Sequence, residues 1–206
     1  MKETPVRYGT TALEPPMLGD HLAMDLLNTQ ARSPSGDIVD FWRSGQDVLA
    51  WLSRAGVAVG PVNKAHDIQA LLAKAVALRA LAQQLIGKRK QGEGRDDAGG
   101  LSGLNTYLHG YSTTLHLDID DQHQLFLSRR PCGEPVASLL GPVAQAVAEL
   151  LVEANFDLVK QCEHPDCILW FYDRTKAHKR RWCSMASCGN RHKAAQFRKR
   201  SSGVAA

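Results

Sequence analysis

Apolar residues recur at helical spacing in several stretches of the chain. Ser44 is a suitable N-cap for a helix that ends at Gly56. A longer helix is predicted from near Pro61 to about Lys90, followed by a short helix over 104–110. A further helix is predicted over 136–156, in which Gly141-Pro142 favours a kink. Helices therefore account for most of the predicted structure before residue 156.

Other stretches predict strands or loops. Apolar and polar residues alternate over 113–119 and 123–129, a pattern typical of a β-hairpin. The stretch 19–29 fits a strand and a helix equally well. Residues 1–16 read as a poorly ordered lead-in, and turn-forming residues predict loops over 32–40 and 91–103. The predicted fold class is α+β, mainly α, with one hairpin in the helical domain and a small four-cysteine module after it.

Charge is distributed unevenly along the 206 residues. The formal net charge is +4, yet the segment from Lys160 onward has eleven basic and three acidic residues, which leaves −4 for residues 1–159. Ten basic residues and no acidic residue lie between Arg174 and Arg200. Such asymmetry favours a polyanionic partner for the basic end.

The N-terminal sequence and the apolar runs bear on location. The first twenty residues carry three acidic side chains and no apolar core, and no unbroken apolar run reaches roughly 18 residues. We therefore expect a cytoplasmic, nucleoid-associated protein with no membrane partner. Because the cytosol keeps thiols reduced, the five cysteines do not predict a disulfide framework.

Four cysteines form two pairs with the same internal spacing, fifteen residues apart, and the fifth, Cys132, is interpreted as an unpaired thiol. Four thiolates complete the tetrahedral shell of a structural zinc ion and leave no open position for catalysis. One structural Zn²⁺ is therefore predicted, with the ligands Cys162, Cys167, Cys183 and Cys188. Exchange of one cysteine for a nearby histidine is the alternative, the candidates being His164, His178 and His192.

A module of about forty residues buries too little surface to fold alone, so metal binding is expected to supply much of its folding free energy. A small aromatic core is predicted around the metal, with base stacking by one member as the alternative interpretation. Its members are Trp170, Phe171, Tyr172, Trp182 and Phe197.

The residues around the cysteines resemble a known family. Cys162-Glu-His-Pro-Asp-Cys167, Trp170-Phe171-Tyr172-Asp173 and Cys188-Gly189-Asn190-Arg191 look like the CGNR zinc finger, a small bacterial module named after its last motif. The resemblance places the four cysteines on the zinc ligands of that family. Upstream, Leu26-Leu27-Asn28-Thr29, Arg32 and the sequence 48–52 are similar to the ABATE domain. That domain commonly precedes a CGNR finger in proteins described as putative stress-induced transcription regulators.

The sequence after the last cysteine favours a helix, with Asn190 as its N-cap and Gly189 permitting a tight turn. Basic residues cluster along this helix and just before Cys183. Such clusters neutralise phosphates and supply most non-specific nucleic-acid affinity. A charged surface that only contacts solvent is the alternative interpretation. The candidate nucleic-acid contacts are Lys179, Arg180, Arg181, Arg191, Lys193, Arg198, Lys199 and Arg200. Arg191 is expected either to read a base or to brace the zinc loops, and we favour bracing because a residue beside a ligand often supports it.

These patterns predict a DNA-binding transcription regulator with a lead-in over 1–16, an ABATE-like domain over 17–158 and a zinc module over 159–206. The first domain would sense a small molecule or form a homodimer, and a polar pocket could involve Asp25, Asn28, Thr29 and Arg32. The alternative is a protein- or RNA-binding adaptor in which zinc only stabilises the module. No enzymatic activity is expected, because no catalytic triad, phosphate-binding loop or carboxylate pair is present in the sequence.

Overall fold

The computed structural model describes residues 14–33, 35–57, 65–93 and 97–202. It divides the chain into two compact units. The terminal unit combines Met1–Phe41 with Ala154–Ala206, and the central unit is Trp42–Glu153. The boundary predicted between residues 158 and 159 separates the ABATE-like sequence from the zinc-module sequence. Packing instead groups the described residues up to Phe41 with the C-terminal segment.

The secondary structure alternates short hairpins with longer helices. In chain order, the elements are α1 (Leu22–Leu27), β1 (Gln30–Arg32), β2 (Ile38–Asp40), α2 (Gly45–Arg54), α3 (Ala65–Lys90), α4 (Ala98–Gly110), β3 (Ser112–Ile119), β4 (Leu125–Cys132), α5 (Pro135–Glu153), β5 (Val159–Gln161), β6 (Trp170–Tyr172), a π-helical turn (Met185–Gly189) and α6 (Asn190–Ser202). The predicted mainly helical fold class with small hairpins is confirmed.

The central unit is built on the packing of α3 with α2, α4 and α5. Helix α2 begins with a capping box, in which the Ser44 side chain accepts from Asp47 N–H and the Asp47 carboxylate accepts from Ser44 N–H. The buried positions of α3 and α5, such as Leu78 and Val147, follow the helical spacing of the sequence. The predicted start of α3 near Pro61 lies outside the described residues.

The loop predicted over 91–103 is wrong at its C-terminal end, because α4 already begins at Ala98. Asp97 caps this helix by accepting from Gly100 N–H at 3.2 Å. A Cβ on Gly100 would lie 2.7 Å from Leu85 Cδ2, so glycine allows α4 to approach α3 closely. Gly100 and Gly103, which both lie against leucines of α3, therefore reflect helix packing and do not mark a loop.

For two stretches of the terminal unit, the prediction from the sequence is ambiguous or wrong. Residues 22–27 form a helix, whose N-cap His21 accepts from Ala23 N–H. The loop predicted over 32–40 is largely a β-hairpin, because β1 pairs antiparallel with β2 around a turn at Gly36 with φ of 99°. The second hairpin of this unit pairs Val159 with Tyr172 and leads into the cysteine cluster.

Two helices of the central unit, α3 over Asp67–Lys90 and α5, are long and apolar enough to cross a membrane by length and composition. The expectation of no membrane partner stays a prediction. Core helices meet the same criterion, and α3 and α5 pack on each other with Leu71, Leu78, Val143 and Val147 fully buried. Their apolar surface is therefore used, at least in part, within the unit.

Candidate metal centre and basic helix

The structure brings the four cysteines of the two pairs to one point. The Sγ atoms of Cys162, Cys167, Cys183 and Cys188 all lie within 4.8 Å of one another. Backbone hydrogen bonds fix the first pair, with Cys162 N–H donating to Leu169 O and Cys167 N–H to His164 O, both at 2.9 Å. In the second pair, Cys183 precedes the π-helical turn and Cys188 lies within it. Three of the four cysteines are buried, and Cys167 is half-buried.

The sulfur positions fit a tetrahedral zinc ion. Zinc–thiolate bonds of about 2.3 Å place neighbouring sulfurs about 3.8 Å apart. The structure has 3.8 Å between the Sγ atoms of Cys167 and Cys183 and 3.5 Å between those of Cys183 and Cys188. Among the described residues, this cluster contains sulfur and no histidine. Four thiolates would hold Zn²⁺ in a closed shell, whose chemistry is structural.

The electrostatics of the cluster also call for a cation. Hydrogen bonds from Cys167, Cys183 and Cys188 lower the pKa of the Cys162 thiol. The same proximity acts oppositely on Cys183, whose pKa is raised by Cys162, then by Cys167 and Cys188, and by burial. One thiolate therefore forms readily at the expense of its neighbours. A divalent cation at the centre removes this conflict by stabilising all four negative charges.

Arg191 contacts the cluster directly. Its Nη2 donates to the Sγ of Cys188 at 2.9 Å, and the charges of Cys167 and Cys183 also act on it, although the residue as a whole is exposed. Desolvation opposes the charged form, but the hydrogen bond and the charge of Cys188 outweigh it and raise the pKa of Arg191. A charged N–H···S bond of this kind orients a ligand and stabilises its thiolate.

The remaining signature residues shape the turn that carries Cys188. A Cβ on Gly189 would lie 2.6 Å from Met185 Sδ and 3.3 Å from Trp182 Cδ1, so glycine makes room for both side chains. The assignment of Asn190 as an N-cap is wrong. Asn190 has helical dihedral angles and its Nδ2 donates to Ala186 O, because the π-helical turn runs directly into α6.

The N-terminal segment packs on the metal cluster. Ala31 lies in β1 and Phe41 follows β2. Both belong to one apolar cluster with Phe171, Leu169, Cys162, Cys183 and Cys188. A small cavity of about 30 Å³ beside the cysteines is lined by Arg32 and Arg191 among others. Residues near position 30 therefore form one wall of the module.

Arg180 ties this segment to the zinc loops. Its guanidinium donates to Leu18 O at 2.9 Å and to Cys183 O at 2.7 Å, and it forms an ion pair with Asp20. The same group lies 4.2 Å from the centre of the Phe171 ring. An arginine with this many internal partners is a structural clamp.

The proposed pocket residues have mostly internal partners. Asp25 Oδ1 accepts from Gly19 N–H at 2.8 Å, Thr29 Oγ1 donates to Leu26 O at 2.7 Å, and Asn28 bonds the backbone of Trp170. Arg32 is exposed and donates to Gly36 O. A ligand pocket at these residues stays a prediction. A separate cavity of about 340 Å³ in the central unit lies against α4 and α5, with Lys74, Tyr107 and Leu140 in its lining.

The other basic candidates differ in how far they are engaged. Arg181 donates to Glu163 at 2.6 Å and lies over the Trp182 ring. The rest are exposed: Lys179, Lys193, Arg198, Lys199 and Arg200. The sequence distinguished only Arg191 among these eight cations, whereas the structure also engages Arg180 and Arg181 in contacts within the module.

One member of the predicted aromatic core is misplaced. Phe171 is fully buried and Trp182 packs against the same cluster, but Phe197 is 71% exposed on α6. The helix projects away from the cysteines at that point, so its aromatic ring has no core to enter. His192 stacks on Trp182 with ring centres 4.7 Å apart, which places it outside the sulfur cluster.

Sequence reasoning missed the role of Asp173. This carboxylate is fully buried and accepts from Lys160 Nζ at 2.7 Å, Thr175 N–H at 3.1 Å and Arg180 N–H at 2.9 Å. Burial by itself would raise the pKa of Asp173, but these hydrogen bonds hold it well below its usual value. The sequence signal that could have indicated this role is a single acidic residue between an apolar strand and a run of basic residues.

A closed four-sulfur site beside a basic helix, together with a mainly helical region, defines a zinc-finger protein with a helical domain. Residues 159–201 match the CGNR zinc finger. Residues 20–154, more than half of the chain, match the ABATE family, described as "Putative stress-induced transcription regulator". The chain belongs to this family, and the predicted resemblance is confirmed. No curated protein matches the chain.

Proposed function

We propose that this protein is a DNA-binding transcription regulator in which a structural zinc ion holds a basic helix against the N-terminal segment. The observation that carries the proposal is the exposure of the cations on α6. They belong to a stretch of 33 residues, 174–206, that contains no acidic side chain. Without carboxylates to neutralise it, this surface attracts phosphate from a distance.

Internal contacts narrow the set of phosphate-binding residues. Arg180 and Arg191 already serve the zinc loops, and Arg181 is paired with Glu163. We therefore assign phosphate contacts to Lys179, Lys193, Lys199 and Arg200, with Arg198 beside them. Two clefts flank Trp182, with volumes of about 510 and 300 Å³, and their linings include Lys179 and Lys199 respectively. Cations at both clefts suit a nucleic-acid backbone that crosses the zinc module.

One face of α6 combines charge with an aromatic ring. Lys193, Phe197 and Arg200 are spaced four and three residues apart, which places them on the same side of the helix. Exposed aromatic rings between cations are typical of nucleic-acid surfaces, where they stack on bases or wedge between them. Phe197 is the residue we expect to touch bases.

Salt dependence tests the proposal. The logarithm of DNA affinity should fall linearly with the logarithm of salt concentration, with a slope of about −0.9 per phosphate contact. Replacing Lys193 and Lys199 by Ala should make the slope shallower by about two units and leave the zinc content unchanged. The matched control removes two cations of the central unit, Arg43 and Lys74.

Two outcomes would overturn the proposal. Binding that is insensitive to salt, or no DNA binding at low salt by zinc-loaded protein, would favour the adaptor role. An equal loss of slope in the Arg43→Ala, Lys74→Ala control would show that net charge alone sets the affinity. Enrichment of particular genomic sequences by the intact protein would then identify the sites that a regulator recognises.

A further inference from the structure

The hairpin of β3 and β4 exposes an apolar face. Its strands pair Leu117 with Leu127 and Ile119 with Leu125, so these four side chains and Leu115 lie on one side of the sheet. Their exposed fractions run from 56% to 68%. Alternation of apolar and polar residues normally places the apolar face against a core. No described part of this chain covers that face to the usual extent.

The opposite face has its own polar organisation. Asp118 accepts hydrogen bonds from Ser128 and Arg130, and Thr114 bonds His116 at 3.0 Å. The hydrogen bond from Ser128 is the largest cause that lowers the pKa of Asp118, so the carboxylate is ionised at neutral pH. Phe126 lies on this side too and is 46% exposed, so the face is mixed in character. Its hydrogen-bonded polar groups nevertheless suit water, whereas the other face is aliphatic on both strands of its two outer rows.

An isolated two-stranded hairpin is marginal in water and needs something to pack on. The five aliphatic side chains present on the order of 500 Å² of apolar surface, at the upper end of what a monomer exposes. Two such faces packed together would bury on the order of 1,000 Å², which reaches the lower range of specific interfaces. The area therefore suits one hairpin against another.

The charges at the two ends of the face are complementary. Arg129 lies opposite Leu115 at the base, and Asp121 lies in the turn at the tip. The centre of the two rows that are aliphatic on both strands falls between the Leu117–Leu127 and Ile119–Leu125 pairs. Rows two residues apart are separated by about 7 Å along a strand, so the row of Arg129 and the turn with Asp121 lie at about equal distances from that centre.

We propose that this face binds a second copy of the chain, with two hairpins packed face to face and antiparallel about a two-fold axis. The axis passes through the centre of the apolar face, so the aliphatic rows overlap and each Arg129 meets the Asp121 of the other copy. Such an interface is self-complementary, as a two-fold dimer requires. The inference rests on the central unit alone and is independent of DNA binding.

Light scattering after size-exclusion chromatography of the full zinc-loaded chain tests the dimer. The chain has a mass of 22.6 kDa, and we expect about twice that value at micromolar concentration. Leu117→Glu with Leu127→Glu should return the mass to that of the monomer. The control, His116→Glu, places a charge of the same sign on the opposite face of β3 and should leave the dimer intact. Circular dichroism verifies that each variant is folded.

A charge exchange tests the antiparallel arrangement. Arg129→Glu and Asp121→Arg should each weaken the dimer by about tenfold, and the double variant should recover most of the loss, because the pair is reformed with opposite signs. The proposal would be overturned if the wild-type chain were monomeric at about 100 μM and equally monomeric after 100-fold dilution. So would a dimer that survives Leu117→Glu with Leu127→Glu, since edge-to-edge pairing would then be the contact. Absence of recovery in the double variant would overturn the antiparallel arrangement.

Discussion

Asn28 and Trp170 are 142 positions apart in the chain, yet the Asn28 amide pairs with the Trp170 backbone in both directions. Its Nδ2 donates to Trp170 O at 2.9 Å, and its Oδ1 accepts from Trp170 N–H at 2.8 Å. The Asn28 side chain is fully buried. The amide thus acts as an additional strand partner for β6, and it fastens the N-terminal segment to the strand that follows the first two cysteines.

Replacing Asn28 by Ala should destabilise the terminal unit by about 2–4 kcal/mol, because a backbone donor and a backbone acceptor both lose their partner in a buried place. Asn28→Asp should cost at least as much, since it removes the donor and buries a charge. Release of metal to a chromogenic chelator during urea titration reports on this unit. Asn105→Ala, on the exposed side of α4, is the control, and equal stability of all three variants would contradict the prediction.

Metal removal should unfold both segments of the terminal unit. The sequence alone predicted loss of structure from about residue 160 onward, and the packing of Ala31 and Phe41 on the cysteines extends that prediction to residues 14–41. Hydrogen exchange after chelation, or in Cys183→Ser, should show lost protection there and retained protection in the central unit. As a control, the Cys132→Ser variant loses a thiol that lies outside the cluster and should retain its bound zinc. Loss of most helical circular dichroism would contradict independent stability of the central unit.

Arg191→Ala should weaken zinc binding by about 10–100-fold, since it deletes the charged hydrogen bond to the Cys188 sulfur. Lys at this position keeps the charge and should recover part of the loss, although it lacks the planar guanidinium. Competition with a chelator of known affinity measures the change. Arg200→Ala, near the other end of the same helix, should have no effect, and a matching loss there would indicate a general influence of helix charge.

Asp97 should give the central unit an acid-sensitive contribution to stability. Hydrogen bonds from Lys88, then Gln84 and Gly100 N–H, lower the pKa of Asp97 from 3.8 to about 2. Because the folded-state pKa is the lower one, this contribution is present above about pH 4 and is lost as the pH falls towards 2. Carboxyl chemical shifts should titrate near pH 2 in the wild type. Lys88→Met should move the midpoint upward, and an unchanged midpoint would contradict the assigned cause.

The sequence was most informative where chemistry or periodicity was local. Identical spacing in the two cysteine pairs indicated one four-sulfur site, and regular apolar spacing predicted α2, α3 and α5 because one helix face must meet a core. Asp97 and Gly100 mark the limit of such reasoning. Their effect on α4 depends on contacts with α3, which a glycine-rich stretch does not reveal.

Long-range contacts account for most of the remaining differences. Arg180 looked like any other cation in a basic run, because its partners Asp20 and Leu18 lie at the opposite end of the chain. Phe197 looked like a core residue because aromatic rings in small modules usually are. Both assignments depend on which segments pack together, and local patterns carry no information about that.

The discontinuous terminal unit has a consequence for synthesis on the ribosome. Residues 14–41 leave the exit tunnel before the central unit, but the strand and loops that they pack against are made after it. At about 5–20 residues per second, the intervening synthesis takes roughly 8 to 30 s. The central unit, whose sequence is continuous, is expected to fold during that delay, while zinc capture and Asn28 pairing wait until the last cysteine has emerged. Arrest-peptide force measurements should accordingly show one folding event before residue 160 has emerged and a second one only after the last cysteine.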